Sequence, residues 1–429
     1  MKVAYITAGA AGMYCGTCIH DNTMASALKD QGHNVSLIPT YTPTRTDEEN
    51  VSLDRVFYGG INVYLQQKIA FFRHTPWAFD RLLDNNSLLN SLSRLSASTD
   101  ARDLGLLTVS MLSGENGFQR KELEKLVKWL REENRPDIVY LTNSMLLGFA
   151  KEIKNALDVS VICALQGEDI FLRDLIDPYK SEALTLLAER ATDADGFVAP
   201  NSYYAQFMAS EYLKVSVDRI DVVPLGLNLE GHGRIDEKPG PPPFIVGYLA
   251  RICPEKGLHI LVSAFYTLAK EFGIDNLELH VAGYLGKKDK PYFEELVNQI
   301  NAWGLQDSFV HYGEVTRTQK IDFLNRLHVF SVPTVYRESK GLSVLEALAN
   351  GVPVVQPKHG SFPEIIKATE GGILVDPESA ESVAEGIYQL FRDPSKRKQL
   401  GANGQMIVHQ NFNREKIAQQ LMNVFEKYV

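Results

Sequence analysis

The chain has 429 residues, 45% of them hydrophobic, with 44 Lys and Arg against 53 Asp and Glu and a net charge of −9. That length accommodates two globular domains, and an acidic balance without a long basic tract excludes a protein whose affinity rests on neutralising nucleic-acid phosphates. No run approaches the ~18 to 20 apolar residues of a membrane span, the opening MKVAYITAGAAG lacks the basic region and long apolar core of a signal peptide, and four cysteines are too few for a disulfide framework. A cytoplasmic protein is expected.

In chain order, Lys2 to Thr7 reads as a short buried strand, GAAGMYCG as a turn-forming loop, His20 to Gln31 as a helix closed by Gly32, and Val35 to Pro39 as the next strand. Strand, glycine loop, helix and strand make a βαβ unit, and ligands bind beyond the carboxyl ends of such strands. No third glycine with dinucleotide spacing follows Gly9 and Gly12, which disfavours a dehydrogenase. Cys15 and Cys18 form CGTC at a helix start, a setting that lowers a thiol pKa. A redox protein does not need so long a chain, and no His-rich spacing supports a metal site shared with Cys163 and Cys253. The stretch KIAFFRHTPWAFDRLL, residues 68–83, interleaves bases and aromatics and suits an acceptor or a membrane surface, although apolar residues at helical spacing more often form core.

Leu123, Leu126, Val127 and Leu130 mark one face of a helix ending before Pro136, and Asp137 to Leu141 and Val159 to Leu165 are two further strands. The second runs into Gln166, Gly167, Glu168 and Asp169. Asp193 and Asp195 precede the strand Gly196 to Ala199 rather than follow one, so they read as a helix end and not as a metal triplet; Ser202 reads as the cap of the helix after Asn201. EGHGRIDEKPGPPP is a linker by composition.

A second array begins with the strand Phe244 to Ala250, followed by Arg251 and Lys256 in RICPEKGL and a helix running to Phe272. Two bases where a parallel strand ends suit a phosphate. Strands follow at Leu277 to Ala282 and Phe309 to Tyr312, then the element SVPTVYRESKGLSVLEALANG, residues 331–351, in which an apolar helix starts at Ser343 after Gly341. Glu338 and Glu346 bracket the helix start, whose amides bind phosphate. Acids on either side of such amides suit the two sugars flanking a diphosphate. Ser343 and Glu346 equally fit a capping box, with Glu338 an ordinary loop acid. Val352 to Gln356 is a strand, a helix starts near Glu378, and Asn413 to Val429 forms a last helix.

The run ESKGLSVLEALANGVPVVQPKHGSFPEII resembles the signature of retaining glycosyltransferases of family four, and the other motifs extend the resemblance over nearly the whole chain. It implies an α/β GT-B architecture: two doubly wound, Rossmann-like domains facing across a cleft. The acceptor-side domain would comprise residues 1–228 plus 411–429, followed by a linker at 229–243 and a donor domain at 244–410. A nucleotide-diphosphate-sugar would be the donor, with no metal and no cofactor. Arg251 and Lys256 would grip the diphosphate, Glu338 would accept from the transferred sugar, and Glu346 would accept from the ribose. Gly12 and Gly16, a loose match in spacing, would close over the diphosphate. Gly283, the backbone of Glu314 and Val315 beside the base, and Gly341, Leu342 and Ser343 at the helix start would complete the donor site.

Two departures stand out. Gln166 holds the place of a His near the anomeric centre and cannot carry a proton, and Lys340 replaces a usual aromatic. Gln166, Glu168 and Asp169 fall on the acceptor side. The acceptor is expected to be a sugar, a lipid or another small molecule, with peripheral contact at the inner membrane face as a further expectation and no nucleic acid as partner. A nucleotide-sugar epimerase or hydrolase, or a non-catalytic scaffold subunit of the same fold, is the alternative.

Overall fold

The computed structural model describes residues 1–9, 16–58, 63, 65–67, 69–73, 101–233 and 240–429. They divide into two compact units, Met1–Gly226 with Arg414–Val429, and Leu227–Asn413.

In the first unit the strands β1 (Lys2–Thr7), β2 (Asn34–Pro39), β3 (Ile138–Leu141), β4 (Ser160–Ala164), β5 (Gly196–Ala199) and β6 (Ile220–Val222) form one sheet in the order β2-β1-β3-β4-β5-β6. Every pairing is parallel. A parallel sheet is covered on both faces, which is why its strands read as near-continuous apolar runs. Alternation along β1 shows the two faces. Ala4 and Ile6 join a core with Leu126, Leu147 and Phe197, while Val3 and Tyr5 join another with Met24, Tyr140 and Ile162. Among the described residues this unit's α-helices before the chain leaves for the second unit are α1 (Gly16–Asp30), α2 (Ala101–Leu112), α3 (Arg120–Trp129), α4 (Ala150–Leu157), α5 (Asp169–Asp174), α6 (Tyr179–Arg190) and α7 (Ser202–Phe207).

The second unit repeats the plan. Strands β7 (Phe244–Leu249), β8 (Leu277–Ala282), β9 (Phe309–Gly313), β10 (Val329–Phe330), β11 (Val354–Pro357) and β12 (Gly372–Val375) lie in the order β12-β11-β10-β7-β8-β9, again all parallel. Helices α8 (Leu258–Tyr266), α9 (Lys290–Ala302), α10 (Arg317–Arg326), α11 (Leu342–Ala349), α12 (Phe362–Thr369), α13 (Ala380–Arg392) and α14 (Pro394–Asn411) accompany them. Residues 229–233, expected in a linker, are tied into this unit. Arg317 donates to the carbonyls of Asn228 and Glu230 at 2.8 and 2.9 Å, and Asn350 Oδ1 accepts from the Gly233 amide at 3.1 Å.

The chain then returns to the first unit as α15 (Arg414–Phe425), whose Ile417, Leu421 and Phe425 are buried against α1 and the sheet, with Phe425 5.1 Å from Tyr140 between ring centroids. Among the described residues no helix is long and apolar enough to cross a membrane.

Several local expectations shift. Asn201, not Ser202, caps α7: its side chain accepts from the Tyr204 amide at 2.8 Å. Asp193 and Asp195 are held by cations at the end of α6, Asp193 by Arg190 at 3.3 Å and Asp195 by Lys154 at 2.7 Å. Gly12, Cys15 and most of residues 68–83 lie outside the described residues. Arg73, which is described, is folded inward, its guanidinium 3.5 Å from the Phe118 ring centroid.

Candidate active site

In the second sheet β7 and β10 are neighbours, and the strand order runs away from them in opposite directions. Loops leaving such a switch point diverge and open a crevice beyond the strand ends, the preferred ligand position in an open parallel sheet. The loop after β7 carries Arg251 and Lys256, and the loop after β10 carries Glu338 and leads into α11.

Backbone contacts zip these two loops together. Gly257 sits at φ +73°, and a Cβ there would lie 1.8 Å from the Pro333 carbonyl oxygen; the Val335 amide donates to the Glu255 carbonyl at 2.9 Å. Lys256 Nζ consequently reaches Glu338 Oε2 at 2.6 Å. Tyr336 completes a triangle: its oxygen accepts from Lys256 and its O–H donates to Glu338 Oε2 at 2.7 Å. Burial alone would raise the Glu338 carboxyl, but the Lys256 ammonium and the hydrogen bonds from Lys256, Tyr336 and the Lys340 amide outweigh it and hold the pKa at about 2. The loop after β11 braces this arrangement from behind, with the Ser361 amide donating to the Glu338 carbonyl at 2.8 Å. A Cβ on Gly360 would come within 2.5 Å of that same oxygen. Arg251 is exposed, and its Nε donates to Cys253 Sγ at 3.3 Å.

α11 begins one residue earlier than expected, at Leu342, with Gly341 as its left-handed N-cap and no side chain capping the first turn. The capping box considered for Ser343 and Glu346 is therefore not formed. Glu346 turns instead to α10, where Lys320 Nζ donates to its Oε1 at 2.6 Å. Gly283 has a packing reason to be glycine, since a Cβ would lie 1.8 Å from the Ala250 carbonyl oxygen. Glu314 is exposed and Val315 half-buried, just before α10.

The first unit has its own polar group at the β1/β3 switch point. Gln166, 8% exposed, donates from Nε2 to Asp21 Oδ1 at 2.8 Å, and Thr7 donates to Asp21 Oδ2 at 2.7 Å. Because a carboxylate only accepts, the Gln166 amide is oriented with its Oε1 away from Asp21, and that oxygen is buried without a hydrogen-bond partner. Glu168 and Asp169, expected on the acceptor side, are committed inward. Glu168 accepts from the amides of Ser144 and Gln166 at 3.0 and 2.7 Å, and Asp169 from the Tyr204 hydroxyl at 2.8 Å. Gly16 is the first residue of α1, and Cys18 is buried within that helix.

Sequence reading singled out Arg251, Lys256, Glu338 and Glu346 but missed Asp21, Lys320 and Tyr336. Tyr336 lay in view two residues before Glu338; the other two meet their partners only through the fold. Among the described residues no group of His, Cys, Asp and Glu is arranged to hold a metal ion.

Residues 234–406 match the family described as glycosyl transferases group 1. A GDP-mannose-dependent alpha-(1-6)-phosphatidylinositol monomannoside mannosyltransferase of Mycobacterium tuberculosis is 28% identical over 220 residues, 49% of this chain and 54% of that protein. A D-inositol 3-phosphate glycosyltransferase of an Arthrobacter species is 30% identical over 216 residues, 48% of this chain and 50% of that protein. The chain thus spans about half the length of these curated relatives. Among solved structures, HepE of Anabaena in complex with UDP superposes with a TM-score of 0.69 at 17% identity, covering 100% of both chains. Sucrose-phosphate synthase of Thermosynechococcus elongatus gives 0.70 at 16% identity, covering 100% of this chain and 99% of that one. At these identities the likeness shows the fold, which is GT-B.

Proposed function

From the match of residues 234–406 to the glycosyl transferases group 1 family, we propose that the chain transfers a sugar from a nucleoside-diphosphate sugar to a hydroxyl acceptor, with retention of anomeric configuration and without a divalent metal. The observation that carries this reading is the Lys256 to Glu338 contact of 2.6 Å beside the uncapped start of α11. A cation, an anion and open helix amides stand together at the switch point of the sheet.

Each group then has a task. Lys256 has three N–H donors and spends two on Tyr336 and Glu338, leaving one for a phosphate oxygen. The exposed Arg251 and the amides at the start of α11 supply further positive charge to the departing diphosphate, the role a metal ion would otherwise fill. Glu338 accepts from hydroxyls of the transferred sugar, and Glu346 from the ribose. Among the described residues no side chain stands out as a nucleophile for a covalent intermediate. The bond from the anomeric carbon to the diphosphate breaks while the acceptor oxygen bonds on the same face, and the acceptor proton passes to the leaving phosphate oxygen. A UDP-bound structural neighbour and a GDP-mannose-dependent relative support a nucleoside-diphosphate donor without selecting the base.

The test is an NMR spectrum of the first-formed product from a donor chosen by a thermal-shift panel of nucleotide-sugars, in which a donor at 100 times its Kd adds ~2.7 kcal/mol of stability. A product with the donor's anomeric configuration, formed equally fast in EDTA, is expected. An inverted anomer, or activity lost to EDTA and restored by manganese, refutes the mechanism. Sugar released as fast without acceptor as with it identifies a hydrolase.

A further inference from the structure

α10 brings a buried lysine to Glu346. Lys320 and Glu346 are each 7% exposed and meet at 2.6 Å, yet nothing in the proposed transfer uses that ammonium. Taking two charges out of water costs about as much as their attraction returns, so such a pair is a poor stabiliser and its presence calls for another reason.

Its position supplies one. Thr316 and Gln319 form a reciprocal capping box that fixes the start of α10, so Lys320 projects from the first turns of a helix that follows Glu314 and Val315 directly. The main chain of Glu346 is held separately, its carbonyl accepting from Asn350 Nδ2 at 2.8 Å. With Oε1 taken by Lys320, Glu346 Oε2 makes no hydrogen bond among the described residues.

We infer that Lys320 is a positioning residue for ribose recognition: by holding Oε1 of Glu346 it fixes the carboxylate so that Oε2 is presented to a ribose hydroxyl of the nucleotide. The inference rests on the assignment of Glu346 to the ribose made above. A free glutamate side chain would have to be ordered when the ligand arrives; one already pinned at one oxygen loses little further freedom. It also makes the site selective, because a nucleotide lacking the hydroxyl leaves a carboxylate oxygen desolvated and unmatched.

The test uses calorimetry on the full chain with UDP or GDP, whichever binds more tightly, and with its 2′-deoxy and 3′-deoxy forms. The parent protein is expected to prefer the ribonucleotide over at least one deoxy form by ~10-fold or more, the worth of a hydrogen bond to a charged group. Lys320→Met should reduce that preference to ~2-fold or less while changing deoxynucleotide affinity little, and Lys320→Arg should restore part of it. A lysine important only for folding would shift thermal stability and leave the ratio alone. Because Lys320→Met strands a buried carboxylate, the double variant K320M/E346Q, in which neither side chain of the pair is charged, is measured beside Glu346→Gln. Equal affinities in those two place the action of Lys320 through Glu346. A further ~3-fold or greater loss in the double variant means that Lys320 acts on the nucleotide by another route, and overturns the inference. An undiminished ribose preference in Lys320→Met, with the preference lost in Glu346→Gln, overturns it while leaving the ribose assignment standing. No ribose preference in the parent protein overturns both.

Discussion

Replacing Glu338 by Gln keeps the shape of the side chain and removes the charge that Lys256 faces at 2.6 Å. The carboxyl pKa is lowered from 4.5 to about 2 in the folded protein, a difference of about 2.5 units, which at 1.36 kcal/mol per unit corresponds to about 3 kcal/mol. The same size follows from the cost of breaking a buried ion pair by removing one partner, about 3 to 5 kcal/mol. A depressed folded pKa means that the stabilisation is complete above the unfolded value and is lost as pH falls through the folded one. The carboxylate therefore contributes about 3 kcal/mol at pH 7, less than half of that at pH 3 and little at pH 2. Urea unfolding of the parent and Glu338→Gln at pH 7 and pH 3 reads this out, with the transition of the second unit followed separately because two units need not unfold together. A variant equal to the parent at pH 7, or a gap that widens as the pH falls, would refute the argument that Lys256 holds Glu338 ionised.

Three other outcomes are expected. Lys256→Ala should lower turnover by ~100-fold or more, the cost of deleting one preorganised electrostatic donor; turnover within a few fold of the parent would remove Lys256 from the reaction. Gly257→Ala should destabilise by more than Gly304→Ala, because both sit at positive φ but only Gly257 has backbone within 4 Å of a new Cβ. The strain alone is ~1 to 2 kcal/mol, and equal Tm losses would deny the close approach of the two loops. Gln166→Glu places a second carboxylate against Asp21, so one of the two must hold a proton; the variant should lose stability relative to the parent as pH rises from 4 to 8, by ~1 to 4 kcal/mol in a denaturation series, and a gap that does not change with pH would show that the two side chains do not face each other.

Most strands of the two units were legible because a parallel sheet buries each inner strand on both faces, giving apolar runs such as Phe244–Leu249 whose ends mark the ligand side, whereas the short edge strands Ile220–Val222 and Gly372–Val375 were not read as strands. Arg251, Lys256 and Glu338 were legible for the same reason: charges just past such ends are conspicuous. The partners were not, since chain separation hides them. Lys320 and Glu346 lie 26 residues apart, and Asp21 and Gln166 lie 145 apart. At Glu346 the local pattern pointed two ways. A capping box satisfies a helix start from within four residues, but a left-handed Gly341 had already made the turn and freed Glu346 for its distant cation. Ser202 reads from the sequence as the cap of its helix, and only the extended backbone of Asn201 places the cap one residue earlier.

The return of α15 to the first unit has a consequence for how the molecule is made. The first sheet is complete once Val222 has been synthesised, but one face of its core waits for Ile417, Leu421 and Phe425. At about 5 to 20 residues per second a ribosome needs roughly 10 to 40 seconds for the intervening chain. During that interval Met24, Tyr5 and Tyr140 lack their α15 neighbours, while Leu227–Asn413 emerges in full. The second unit, made later, can finish folding first. The nascent first unit is then the natural client for a chaperone, and a chain cut just before Arg414 would keep the second unit whole while leaving the first one open.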